Sequence, residues 1–125
     1  MFKRMIQSIN NYNWSISSRI LINTNVVKLW DIISSPSNLE LFHPFCLKNQ
    51  IIKWSGEESI DRIIYLNGTT FERNFLNWVP NSGYDLKINQ NGKTDSLVKW
   101  RINSVEDKSE IKIKVYPYIF NQGNM

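Results

Sequence analysis

Between residues 14 and 23 apolar and polar positions alternate with period two. Trp14, Ile16, Ser18, Ile20 and Ile22 fall on one side of an extended segment, and Ser15, Ser17, Arg19 and Leu21 on the other. In a stretch this rich in β-branched residues, that spacing predicts a first strand with one covered face. The period then lengthens. Val26, Val27, Trp30 and Ile33 lie on one helical stripe, with Asn23 or Thr24 placed to cap its first turn. Ser35 and Pro36 mark a second start, because proline loses nothing at a first helical position whose N–H would be unpaired anyway. The spacing predicts a short helix over residues 36–42. Pro44 ends it by pushing His43 out of the helical region.

Every later segment returns to period two. Strands are predicted over residues 47–54, 59–66, 69–79, 83–89, 95–104 and 110–118, separated by the turn signals SGEE, NG, PNSG, QNGK and VEDKS. The Asn67-Gly68 pair predicts the tightest hairpin, since a two-residue turn of that type needs positive φ at both central positions. Six strands in succession with short turns form an antiparallel meander, so the class is α+β. The faces separate cleanly near the end of the chain. Tyr84, Leu86, Ile88, Val98, Trp100, Ile102, Ile111, Ile113 and Val115 share the dry side, and Asp85, Lys87, Lys99, Arg101, Lys112 and Lys114 the wet one. Over residues 69–79 two alternations compete: Phe71, Arg73 and Phe75 against Glu72, Asn74, Leu76 and Trp78. Either Arg73 or Glu72 therefore looks inward. Two short helices cannot cover so long a dry face, so either a further helix lies across it or a pocket remains.

Composition narrows the classes. At 125 residues, 42% of them hydrophobic, the chain is one domain able to bury a core without staples. The pattern divides it into a lead-in over residues 1–13, a body over 14–120 and a tail over 121–125. One cysteine forms no internal disulfide, and one cysteine with one histidine falls short of the ligands a zinc site needs. Neither a metal nor a cofactor is expected, and the default compartment is the cytoplasm. The basic N-terminus lacks the ~7-residue apolar run of a signal peptide, and no stretch reaches the ~18 apolar residues of a membrane span. The net charge is +4, yet Lys3, Arg4 and Arg19 supply three of those charges before any acid occurs. The body is nearly neutral. A nucleic-acid footprint, with basic residues clustered on one face, exists only in miniature on the strands bearing Lys99, Arg101, Lys112 and Lys114, so no nucleic acid is expected.

The order strand, two short helices and six-strand meander, together with ILINTNVVKLWDIISSPSNLELFHPF, NGTTFERNFLNW and LVKWRI, resembles the helix-grip domains of the SRPBCC superfamily. These are the START, polyketide cyclase and birch-pollen-allergen-like proteins. The resemblance spans residues 15–118 and implies a curved antiparallel sheet of about seven strands around an apolar cavity. It also implies a long C-terminal helix across the sheet. No amphipathic segment of ~20 residues follows YPYIFNQGNM, so the expectation is a truncated product or a lid from another chain.

The resemblance implies binding of a hydrophobic or aromatic small molecule, with at most a cyclase or dehydratase-like activity by general acid–base groups. A module that engages protein partners through the uncovered sheet, self-association included, is the alternative, and a truncated domain without activity is a third. The expected ligand-binding residues are Trp30, Phe42, His43, Arg73, Tyr84 and Trp100. His43 and Cys46 read as cavity wall rather than a reactive pair, because neither has a partner set in the surrounding sequence. Glu72 joins His43 and Arg73 as the groups with suitable acid–base chemistry. An inward Arg73 would need a partner or an anionic ligand head, and a cross-strand surface ion pair is the alternative.

Overall fold

A computed structural model of the chain describes residues 15–90 and 96–117, apart from the side chain of Phe42. The predicted lead-in and tail, and the expected strand ends at Trp14, Asp95 and Tyr118, lie outside the described residues. The elements run β1 (Ile16–Ile22), α1 (Val26–Ile33), α2 (Leu39–Phe42), β2 (Cys46–Lys53), β3 (Ile60–Tyr65), β4 (Thr70–Val79), β5 (Gly83–Asn89), β6 (Ser96–Val105) and β7 (Lys108–Tyr116). The seven strands make one sheet in the order β1-β7-β6-β5-β4-β3-β2. Every neighbouring pair is antiparallel, which leaves β1 and β2 as edges.

The first helix is capped by Asn25, whose side chain accepts the Lys28 N–H at 2.9 Å, one residue beyond the expected caps. The second begins at Leu39 and not at Pro36. Ser37 adopts φ +60°, a left-handed conformation that no α-helix can contain. Buried Asn38 turns that break into a joint: its amide donates to the carbonyls of Ile33 at 3.1 Å and Ser35 at 2.9 Å, tying off the end of α1. Asn49 anchors the other side. It receives the Leu39 N–H at 3.3 Å, its own N–H goes to Glu40 at 2.8 Å, and its amide reaches the Arg62 carbonyl at 3.3 Å. These bonds hold α2 against β2.

The β3–β4 hairpin forms where Asn67-Gly68 predicts it, but with a different turn. Gly68 has φ +87° and Asn67 stays at negative φ, while the Gly68 N–H bonds the Tyr65 carbonyl at 2.9 Å. This is the longer loop with glycine at the left-handed position, not the two-residue turn. In β4 the register shifts between Leu76 and Val79, with Asn77 at φ +53°. Both carboxylate oxygens of Glu57 hold the bulge, accepting the N–H groups of Asn77 at 2.7 Å and Trp78 at 2.8 Å. A bulge offsets the alternation by one residue, so Phe75 and Trp78 both reach the inner face.

The core lies between α1 and the concave side of the sheet. Leu29, Trp30 and Ile33 pack on Phe75, Tyr84, Leu86, Val98, Trp100, Ile102 and Ile111. Gly83 permits close approach to β6: a Cβ there would sit 2.0 Å from the Trp100 carbonyl oxygen, and its φ is +146°. Coverage fails towards β1, where Ile16 and Ile20 on the same concave side are 56% and 51% exposed.

Candidate functional site

The concave face has three zones. Across β3 and β4 it is polar. Asp61 and Arg73 stand directly opposite each other and form a two-pronged ion pair, Nε to Oδ1 at 2.8 Å and Nη2 to Oδ2 at 2.6 Å. Both side chains are buried. The competing alternations of β4 are thereby resolved: Arg73 faces inward, and Glu72 lies outside, 3.8 Å from Arg62. The Arg73 guanidinium also lies 4.9 Å from the centre of the Phe75 ring. Its charge is matched from within the chain, which is what allows it to be buried.

Beside this pair sits a smaller aromatic and thiol group. His43 meets the rings of Tyr65 at 5.6 Å and Phe45 at 6.3 Å, and its Nδ1 accepts the Phe45 N–H at 3.2 Å. Cys46 pairs with Tyr65 across β2 and β3. Partial burial, reinforced by Glu40, raises the Cys46 thiol above its ordinary range despite an opposing pull from Arg73. A thiol so shifted holds little thiolate near neutral pH, consistent with a wall residue rather than a nucleophile. No group of three or more His, Cys, Asp or Glu able to hold a metal exists among the described residues.

The second zone is an aromatic plug under the helices. Trp30 meets Trp78 at 5.3 Å and Tyr84 at 6.0 Å, Trp78 stacks on Tyr84 at 5.4 Å, and Trp54 meets Phe75 at 5.0 Å. The Tyr84 hydroxyl donates to the Ile33 carbonyl at 2.7 Å, and the Trp54 indole N–H to that of Ser34 at 3.2 Å. Burial pushes the Tyr84 phenol far up, against a lesser downward pull from Arg73.

The third zone is a groove of about 300 Å³ between α1 and the β1-β7-β6 side of the sheet, lined by Ile20, Ile22, Thr24, Leu29, Ile32, Ile33, Trp100, Ile111 and Ile113. No polar atom faces the groove, that of Thr24 included. Ile20 and Ile32, at 51% and 45% exposed, form its open lip.

The five expected ligand residues whose side chains are described are therefore spread over the concave face. Trp30, Tyr84 and Trp100 come together, with Trp100 and Tyr84 rings 5.9 Å apart, but only Trp100 also borders the groove. Arg73 lies in the ion pair and His43 in the aromatic group at the start of β2. Phe42 closes α2, and its side chain lies outside the described ones. None of the groove isoleucines is among the expected ligand residues, although Ile111 and Ile113 fall on the predicted dry face, Ile20 and Ile22 on the dry side of β1, and an incompletely covered dry face was itself expected.

No protein-family model matches the chain, and no curated protein matches its sequence. Solved structures do resemble it. The protein CV1439 from Chromobacterium violaceum superposes with a TM-score of 0.67 at 10% identity, over 82% of this chain and 79% of that one. CalU16 from Micromonospora echinospora gives 0.62 at 16%, over 83% and 60%, so the chain spans less than two thirds of that protein. A truncated norcoclaurine synthase from Thalictrum flavum gives 0.66 at 15%, over 82% and 72%. At such identities the likeness is one of architecture, and with the strand order and the two short helices it gives the chain the helix-grip fold.

Proposed function

We propose that the chain binds a hydrophobic or aromatic small molecule in the groove between α1 and the β1-β7-β6 side of the sheet. The observation that carries this reading is the wall itself: a recess of about 300 Å³ whose exposed lining is apolar and whose lip isoleucines are half-exposed. Its volume is at the lower end of small-molecule sites. Removal of apolar ligand surface from water would drive binding, with no polar group of the lining to fix orientation. His43 and Arg73 border other zones and Glu72 lies on the outer face, so the reading is of binding rather than turnover, although one protein of the same fold is named as a synthase. A reducing compartment suits the one free cysteine, and no helix among the described residues is long and apolar enough to cross a membrane.

The test uses a neutral apolar dye, N-phenyl-1-naphthylamine, titrated into the protein. Ile20→Glu and Ile32→Glu place a charge at the lip of the groove, on side chains already near half-exposed, so folding is kept. Dye affinity is expected to fall at least tenfold in each. Unchanged affinity in both folded variants would exclude the groove. The exposure of Ile16 and Ile20 favours a second reading, contact between copies of the chain across the same face, which would compete with ligand.

A further inference from the structure

On the reverse side of the strands that wall the groove, the sheet carries a shallow cationic dish of about 450 Å³ bordered by Ser17, Arg19, Lys99, Arg101, Lys112 and Lys114. The register makes its cost visible. Arg19 stands directly opposite Lys112, Lys112 opposite Arg101, and Lys114 opposite Lys99. Like charges facing each other across strands destabilise a sheet, so three such contacts on one face work against the fold. Two carboxylates offset part of this: Glu110 takes Arg19 and, at 3.7 Å, Lys112, and Asp85 takes Arg101 at 2.8 Å. Five cations and two carboxylates leave an excess of three positive charges, most of the net +4 of the chain. Asp85, engaged by Arg101, stands opposite Lys99, yet among the described residues Lys99 and Lys114 make no ion pair with a carboxylate. They lie 5.8 and 5.7 Å from the centre of the Tyr116 ring.

We infer that this dish docks the protein on an anionic lipid bilayer. Single-stranded nucleic acid would call for aromatic platforms on which bases stack, and among the described residues the one aromatic ring beside these lysines, Tyr116, is already engaged by both. A bilayer also accounts for the other side of the same strands. β1 is an edge whose concave side opens the groove at Ile20, while its convex side presents Arg19 and half-exposed Leu21. A surface held at this edge would meet cations and the mouth of an apolar recess together, the arrangement needed to receive a poorly soluble molecule from lipid. This choice of partner rests on the groove reading above; the charge excess does not.

The experiment is sedimentation with vesicles of phosphatidylcholine alone or with 30% phosphatidylserine. Binding is expected only to the anionic vesicles, weakening steeply as salt rises. Lys99→Gln/Lys114→Gln removes the two unpaired cations, keeps their stems and relieves a like-charge contact, so the fold stands. Partitioning should fall roughly thirtyfold, about fivefold per lysine near such a surface. Lys28→Gln/Lys53→Gln changes net charge equally from α1 and β2 and should bind as the parent does. Equal loss in both double variants, absence of binding to anionic vesicles, or tighter binding to a 20-nucleotide single strand than to vesicles would overturn the inference. Dye affinity measured on the parent protein separates the two readings: dye bound by the parent without vesicle binding refutes docking alone, whereas no dye bound by the parent refutes the groove.

Discussion

At the scale of single residues the energetics turn on Asp61 and Arg73. Removing one partner leaves a buried charge unmatched, which typically costs ~3–5 kcal/mol, whereas replacing both by apolar residues of similar volume is often neutral or stabilising. Asp61→Leu is therefore expected to destabilise by that order, and Asp61→Leu/Arg73→Met to recover most of the loss, read as denaturant midpoints. Failure of the double variant to recover would mean that the pair does more than neutralise itself. Tyr84 gives a second residue-scale expectation. Its phenol is buried and bonded to Ile33, and burial raises its pKa while the unfolded chain ionises it near ~10. Above that pH the unfolded state binds fewer protons than the native state, so this contribution is complete below pH ~10 and declines as pH rises past it. Tyr65, also raised by burial, acts in the same direction. Tyr84→Phe should cost about 1 kcal/mol at neutral pH and flatten the alkaline decline of the melting temperature; a slope as steep as the parent's would place the titrating group elsewhere.

At the scale of elements, what could be read in the sequence follows strand regularity. β5, β6 and β7 keep strict alternation, so which face each residue takes was legible, although Asp85, on the side expected to be wet, is buried beside Asn77 and Arg101. β4 does not, because the left-handed Asn77 inserts one residue and brings Trp78 to the same side as Phe75; no period-two template places both inward. The start of α2 was illegible for a related reason. Ser35 and Pro36 form a sound local start signal, but Ser37 turns left-handed and Asn38, bonded back to α1, takes over as cap. In the site, Trp100 was legible as an inward aromatic, whereas the β1 isoleucines read as ordinary core, since alternation reports which face a residue takes and not whether that face is covered. The tightest joint between elements, where Gly83 meets the Trp100 carbonyl, supplies a test. Gly83→Ala must move the β5–β6 backbone and should cost more than about 2 kcal/mol, while Gly68→Ala, with nothing within 4 Å of the added methyl, carries only its conformational penalty, about 1 kcal/mol. Equal thermal shifts in the two variants would show that β5 and β6 separate at little cost.

At the scale of the whole molecule, the concave face is closed at one end and open at the other. The helices and the aromatic plug seal the β3-β4-β5 side, and α1 reaches β6, but Ile16 and Ile20 face water beyond it. Full burial of an isoleucine side chain is worth ~1.5–3 kcal/mol, and these two keep about half of that unrealised. Whatever covers them stabilises the native state by mass action. The melting temperature of the chain is accordingly expected to rise with its own concentration, with sedimentation coefficients that increase over the same range. Ile16→Ser/Ile20→Ser should abolish both trends at small cost to the dilute protein, because the side chains removed are already half-solvated. An apolar compound that occupies the groove should raise the melting temperature while shifting the sedimentation profile towards monomer, since ligand and second copy compete for one face. A monomer whose melting temperature is independent of concentration, and unmoved by the double serine variant, would show that α1 and the plug suffice for stability and that the open isoleucines are tolerated without a partner.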